Sequence, residues 1–217
     1  MEYTRQLGVF DPKQFHDKTV AIIGCGAIGS ITAVLLAKLG FRNFTLFDED
    51  KIENHNLPNQ FYFIKQNGKP KAQSLKEMIE LFSDDIQSVE IKGNFTKSTV
   101  LPYNITITAL DNMKFRKIAF ENAQKFVEIF IDARMGGQVF RLYTINIKSQ
   151  DDIKLYLSSL YDDKKATEDK CTERSIIFNT MGIASFIGKN ITAVLTGKPY
   201  YREVIMDYYN MELLKLK

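Results

Sequence analysis

Apolar positions along this chain switch between two spacings, and the switches mark out strands and helices in turn. Thr19–Ile23 is a short β-prone apolar run ending at glycine, which predicts a buried strand. Ile28, Ile31, Thr32, Leu35, Leu36 and Leu39 then recur at helical spacing, and Gly40 stands where a left-handed cap would close that helix. Asn43–Phe47 reads as a second strand that runs out at Asp48. After a polar loop through Asn59, the spacing predicts a helix over Lys69–Phe82, with Pro70 in its first turn and Leu75, Met78, Ile79 and Phe82 inward. Ile86–Ile91 and Tyr103–Leu110 are further strand candidates. A helix follows over 112–126 on the stripe Phe115, Ile118, Ala119, Asn122, Ala123, Phe126, and Val127–Ile131 is the next strand.

Strand–helix alternation of this kind predicts a parallel sheet covered on both faces. The rhythm changes after Gly136-Gly137, where Gln138–Ile147 is a long β-prone run suited to an antiparallel extension. Asp162–Arg174 is charged and poor in apolar residues, which predicts a mobile loop, and it carries Cys171. A helix over Ser175–Thr196 and a strand near Tyr201–Tyr208 complete the pattern. The expected fold is α/β: a Rossmann-like, mostly parallel sheet with helices on both faces and an antiparallel extension. One domain is expected over 1–217, with residues 1–18 as an N-terminal arm.

Composition narrows the function classes. Hydrophobic residues at 45% and charged residues at 25% are ordinary for a globular chain. A net charge of +3 is too near balance to indicate a nucleic-acid partner. The N-terminal segment is charged throughout, so no secretory signal is expected. Val20–Ala37 is uncharged, but its glycines and late helical spacing fit a strand–turn–helix better than a membrane span. Two cysteines, Cys25 and Cys171, and two histidines, His16 and His55, lie scattered; a reducing, cytoplasmic setting is expected and a structural zinc site is not.

The chemistry starts at Gly24-Cys-Gly-Ala-Ile-Gly29, a G-x-G-x-x-G loop between a strand and a helix. Gly24, Gly26, Ala27 and Gly29 let backbone approach a phosphate, and the helix N-terminus offers free N–H groups and positive potential. Asp48 follows Gly24 by 24 residues, near the spacing at which an acid meets ribose hydroxyls. The loop alone admits NAD, FAD or ATP. Packing is the better reading of Cys25, within the loop.

Downstream, Asp48-Glu-Asp50-Lys-Ile-Glu-Asn-His-Asn56-Leu-Pro-Asn59-Gln60, then Gly68-Lys-Pro-Lys71, then Asp111-Asn112 with Arg116, resembles the E1-like adenylating family in order and spacing. That family includes ubiquitin-activating enzymes and the enzymes that activate the sulfur carriers of thiamin and molybdopterin synthesis. The resemblance covers about residues 1–145 and continues more loosely beyond. It implies ATP and Mg²⁺ as cofactors, with Asp48 and Asp50 at the nucleotide, Asn56, Gln60 and Lys71 facing phosphates, and Asp111 binding the metal. A compact cation at a helix start and a hard oxygen ligand at a strand's end suit those roles. Tyr3-Thr-Arg5-Gln6 looks like the family's opening motif, in which the arginine reaches across a homodimer into the partner's site. The implied substrate is a ubiquitin-like or sulfur-carrier protein ending in glycine, with no nucleic acid and no membrane involved. At this length the additional domains of the large eukaryotic enzymes are not expected.

Two features leave alternatives open. Asn59 stands where the family pattern has arginine, so the site is slower, recruits Lys65 or Lys69, or is a weakened scaffold. Cys171, flanked by Lys170 and close to Arg174 before a helix, reads either as a thiol that takes over the acyl group or as an incidental cysteine. A nicotinamide or flavin oxidoreductase would use the glycine loop and Asp48, but would leave Asp50, Lys71 and Asp111 unexplained.

Overall fold

The computed structural model describes residues 2–161 and 176–216. The expected loop at 162–174 and Cys171 lie outside the described residues. A sheet in the order β3-β2-β1-β4-β5-β6-β7-β8 runs through the chain. β1 (Thr19–Ile23), β2 (Asn43–Phe47), β3 (Ser88–Lys92), β4 (Ile105–Thr108) and β5 (Ile129–Gly136) are parallel. β6 (Val139–Asn146), β7 (Glu203–Asp207) and β8 (Glu212–Leu216) extend it antiparallel. The chain leaves β1 toward β2 and β3, then returns to place β4 on β1's other side. That reversal opens a crevice at the strands' C-terminal ends, where open α/β sheets bind ligands.

Alternation along β1 divides the core. Val20 and Ile22 face a layer made by α1 (Ala27–Lys38), α2 (Lys71–Phe82) and α5 (Ile177–Leu195), while Ala21 and Ile23 face α3 (Met113–Ala123) and α4 (Gln150–Ser158). Helices therefore cover both faces, as expected. α1 is buried on more sides than a single stripe allows because α2 and α5 flank it. Gly188 permits the approach of α5, since a Cβ there would stand 2.5 Å from Leu35 Cδ2. Gly40 takes φ 98°, the left-handed cap expected after Leu39. Val20–Ala37 is strand, turn and helix; among the described residues no helix is long and apolar enough to cross a membrane. The N-terminal arm packs through stacked Phe10, Phe15 and Phe41, with centroids 5.1 and 5.2 Å apart.

Several boundaries differ for physical reasons. Pro70 caps α2 from outside rather than sitting in its first turn. β5 continues past Ile131 because Asp132, fully buried, is satisfied by two arginines. The inward face of α3 is Met113, Arg116, Ala119, Phe120 and Ala123, leaving Phe115 38% and Phe126 50% exposed. A pattern that assigns arginine outward rotates that helix wrongly. α4 has only Asp152 and Tyr156 buried, too little for a periodic signal, and β8 is exposed along its length.

Candidate nucleotide site

The glycine loop is fixed by close packing on both sides. Gly24 takes φ 94°, donates its N–H to Phe47 O at 2.9 Å, and could not carry a Cβ, which would lie 2.8 Å from Ala109 O. A Cβ at Gly29 would come within 1.9 Å of Gly24 O, so the loop folds directly onto the first turn of α1. Gly26 is the N-cap of α1 and supplies no side-chain cap, which leaves the first N–H groups facing the crevice. These are the conditions under which a helix start binds an anion.

Asp48 closes the loop from the end of β2. Its Oδ2 accepts the Cys25 N–H at 2.7 Å and its Oδ1 the Asp50 N–H at 2.8 Å. Burial lifts its pKa above the ordinary aspartate value, overriding the lowering effect of those two N–H bonds. Cys25 is buried, and burial, then the Asp48 charge, pushes its thiol pKa well up, which fits packing rather than chemistry. Tyr62 ties the loop to α2 by donating to Cys25 O at 2.6 Å, with Lys71 O 3.3 Å away.

Lys71 enters from the start of α2 and is 7% exposed. Its Nζ lies 2.8 Å from Asp50 Oδ2, and its main-chain N–H donates to Asp50 O at 2.9 Å. Asp50 is itself 66% exposed at the side chain, so this pair has one wet partner and one buried one.

Together these groups line a cleft of about 840 Å³. Gly24, Gly26, Ala27 and Asp48 line it. Asp50, Asn56, Asn59, Gln60 and Lys71 line it as well, as does Asp111, three residues past the end of β4. A side compartment of about 300 Å³ shares Asp48, Asp50 and Asp111 but is walled by Phe47, Phe95 and Phe115. Phe95 meets Phe47 edge-on at 6.3 Å and Phe115 at 6.4 Å. A polar cleft joined to an aromatic recess suits a molecule with a charged tail and a flat ring.

The chain matches the model of the ThiF family over residues 3–216. The chain belongs to the ThiF family. The family expectation from the motifs is thereby borne out. Among similar sequences is the Ubiquitin-like modifier-activating enzyme 5 of Caenorhabditis briggsae, 30% identical over 128 residues, covering 59% of this chain and 29% of that protein. The same-named protein of Drosophila erecta is 27% identical over 176 residues, covering 81% of this chain and 36% of that protein. The matched region is thus about a third of the length of those relatives. Among solved structures, E. coli MccB with ATP aligns with a TM-score of 0.75 at 17% identity, over 95% of this chain and 65% of that one. PaaA aligns with a TM-score of 0.73 at 17% identity, over 95% of this chain and 74% of that one. At those identities the structures speak for the fold, a Rossmann-like sheet of the ThiF type.

Other motif residues of this ThiF-family chain fall outside the cleft. Gly29 lies beneath the loop, where it sets the packing. Arg5 is exposed in a turn tied to the other end of the sheet. Tyr3 OH sits 3.5 Å from the Cβ position of Gly40, ahead of β2. Arg5 is not among the residues that line the cleft. Lys65 and Lys69, the suggested replacements for a missing arginine, do not line the cleft, and Lys69 lies 4.0 Å from Glu77 instead.

The motif reading missed Lys51, Glu53 and the start of α5 at Ile176 and Ile177, all of which line the cleft. It also missed what Arg116 does. The guanidinium is buried, bonds Asp132 Oδ1 and Leu110 O, and donates to Ala133 O at 3.0 Å. It thereby staples the end of β4 to β5 one residue before Asp111. Arg134 holds the other Asp132 oxygen at 2.7 and 2.9 Å and reaches Ser159 O at 3.1 Å. Burial works against the charge of Arg134, but Asp132 overrides it and its pKa is raised. The arginine in the motif marked this network; its buried acid, sixteen residues further along, had no local signal.

Proposed function

We propose that the cleft binds MgATP and that the chain adenylates a C-terminal carboxylate. The observation that carries this reading is the convergence of the glycine loop, Asp48, Lys71 and Asp111 on one cleft. They come from four separate elements of the sequence. An oxidoreductase requires the first two and gives no reason for the others.

The residues fit such a ligand. The uncapped start of α1 and Lys71 face phosphate oxygens, Asp48 accepts ribose hydroxyls, and the aromatic recess takes the base. Among the described residues no group of three or more acidic, histidine or cysteine side chains forms a metal site by itself. Magnesium held by one carboxylate and the substrate's own phosphates needs no such group, and Asp111 would supply that carboxylate. Bound there, the metal would neutralise phosphate charge. Attack of the carboxylate on the α-phosphorus then forms an acyl-adenylate as pyrophosphate leaves. The protein's contribution is positioning and charge stabilisation, with the cleft walls holding both reactants.

The ubiquitin-like modifier-activating names of the sequence relatives support a ubiquitin-like or sulfur-carrier partner ending in glycine. The MccB structures with ATP and with MccA support a peptide carboxylate as well. The likeness of Tyr3-Thr-Arg5-Gln6 to the family's opening motif supports a homodimer with Arg5 acting in trans, and Arg5 is exposed and does not line this cleft. Transfer to a thiol would fall to Cys171, since Cys25 is buried. A scaffold without turnover is the second reading, favoured by Asn59 and by the pairing of Lys71 with Asp50.

Pyrophosphate exchange into ATP, with a candidate glycine-ended protein present, tests the activity. Exchange that requires the partner and disappears in Asp111→Ala supports adenylation; a folded, ATP-binding protein without exchange supports the scaffold. Cys171→Ser should retain exchange and lose any thiol-sensitive adduct on a non-reducing gel. An undiminished adduct rules out Cys171 as the acceptor.

A further inference from the structure

Acidic side chains outnumber lysines around the cleft. Asp48, Asp50, Glu53 and Asp111 all line it, and the lysine or arginine side chains that do so are Lys51 and Lys71. Lys71 is buried and already neutralised by Asp50 at 2.8 Å. Lys51 is exposed, and among the described residues it makes no ion pair.

The backbone beneath Lys51 is tied down by hydrogen bonds. Lys51 forms an antiparallel bridge with Pro70. Lys71 N–H donates to Asp50 O at 2.9 Å, Ile52 N–H to Lys69 O at 2.9 Å, and Gly68 N–H to Ile52 O at 2.7 Å. Ile52 beside it is fully buried, so the segment is anchored on one side and presents Lys51 on the other. A four-carbon stem on a fixed base carries a point charge of about the right reach for a flexible polyphosphate. Asn59, the position at which the E1-like pattern places arginine, lines the same cleft.

We propose that Lys51 is a phosphate-binding residue of this chain, taking the charge that Asn59 lacks by holding the outer phosphates of ATP. The proposal rests on the nucleotide reading above, and its test separates the two. Calorimetry with ATP and with AMP is run on the wild-type chain, Lys51→Ala, Lys51→Gln, Lys71→Ala, Lys65→Ala, and Lys51→Ala combined with Asn59→Arg. Both Lys51 variants should bind ATP about tenfold more weakly, with AMP affinity changed less than twofold, because AMP has no outer phosphates. Lys65→Ala should match wild type, and Asn59→Arg should recover most of the loss in the double variant. Wild-type ATP affinity in both Lys51 variants overturns the proposal, as does an equal loss for AMP or a loss that Asn59→Arg leaves unchanged. A wild-type chain that gives no heat with ATP defeats the nucleotide reading itself, whatever the variants do.

Discussion

Asp132→Asn is the perturbation for which the structure gives the largest and most specific expectation. The carboxylate is fully buried and meets Arg116, Arg134 and the Thr108 hydroxyl, the last at 3.2 Å. Asparagine keeps the shape but removes the charge that holds two guanidiniums, Arg116 buried and Arg134 half-buried. Breaking a buried ion pair from one side costs about 3–5 kcal/mol, because the remaining charge is left uncompensated. Against a total stability of about 5–15 kcal/mol that is a large fraction. At about 2–4 °C per kcal/mol for a chain of this size, the melting temperature should fall by roughly 6–20 °C. Arg134→Met should cost less, since Asp132 keeps its charge and Arg116, while its two bonds from Arg134, the Ser159 contacts and the packing over Tyr143, 4.7 Å away, are lost. The assay is scanning calorimetry of the three proteins with and without MgATP. Asp132→Asn should also show a smaller MgATP-induced rise than wild type, because Arg116 no longer holds Leu110 O beside Asp111. A melting point within 2 °C of wild type, or a smaller loss than Arg134→Met suffers, refutes the reasoning.

Other expectations follow from single contacts. Gly29→Ala puts a Cβ on a backbone oxygen that cannot move aside, so it should abolish detectable ATP binding and lower the melting point; wild-type affinity would refute the packing argument. The raised pKa of Asp48 means that on acidification it takes up a proton before an ordinary aspartate would. ATP affinity should therefore weaken as pH falls toward the acid range, while Asp48→Asn binds weakly at every pH; parallel pH profiles would contradict this. Mixing Arg5→Ala with Lys71→Ala subunits should restore part of the activity each lacks, since one mixed site keeps both residues; mixed dimers as inactive as the parents would exclude action in trans.

The sheet was legible because the parallel strands are apolar runs bounded by glycine or acid, and α1, α2 and α5 show their spacing openly. β5 was cut short at Asp132 and α3 was rotated for one reason: sequence rules send charge outward, and here Asp132, Arg116 and Arg134 point inward as a set. α4 stayed hidden because Asp152 and Tyr156 are too few to form a period, and β8 because an exposed strand obeys no burial pattern. Within the site, motif spacing located Asp48, Lys71 and Asp111, since the fold brings the strand ends to one crevice. Lys51, one residue past an acidic motif position, reads as a solvated lysine until the Pro70 bridge shows where its backbone is held. The aromatic recess was equally hidden, because Phe95 lies in a loop after β3 that carries no motif.

Titration calorimetry of the wild-type chain and Asp111→Ala with ATP, with and without Mg²⁺, and with NAD tests the central claim most directly. The account predicts ATP binding that Mg²⁺ strengthens in the wild type, loss of that metal dependence in Asp111→Ala, and no measurable NAD binding. NAD binding without ATP binding, or metal dependence unchanged in Asp111→Ala, would contradict it.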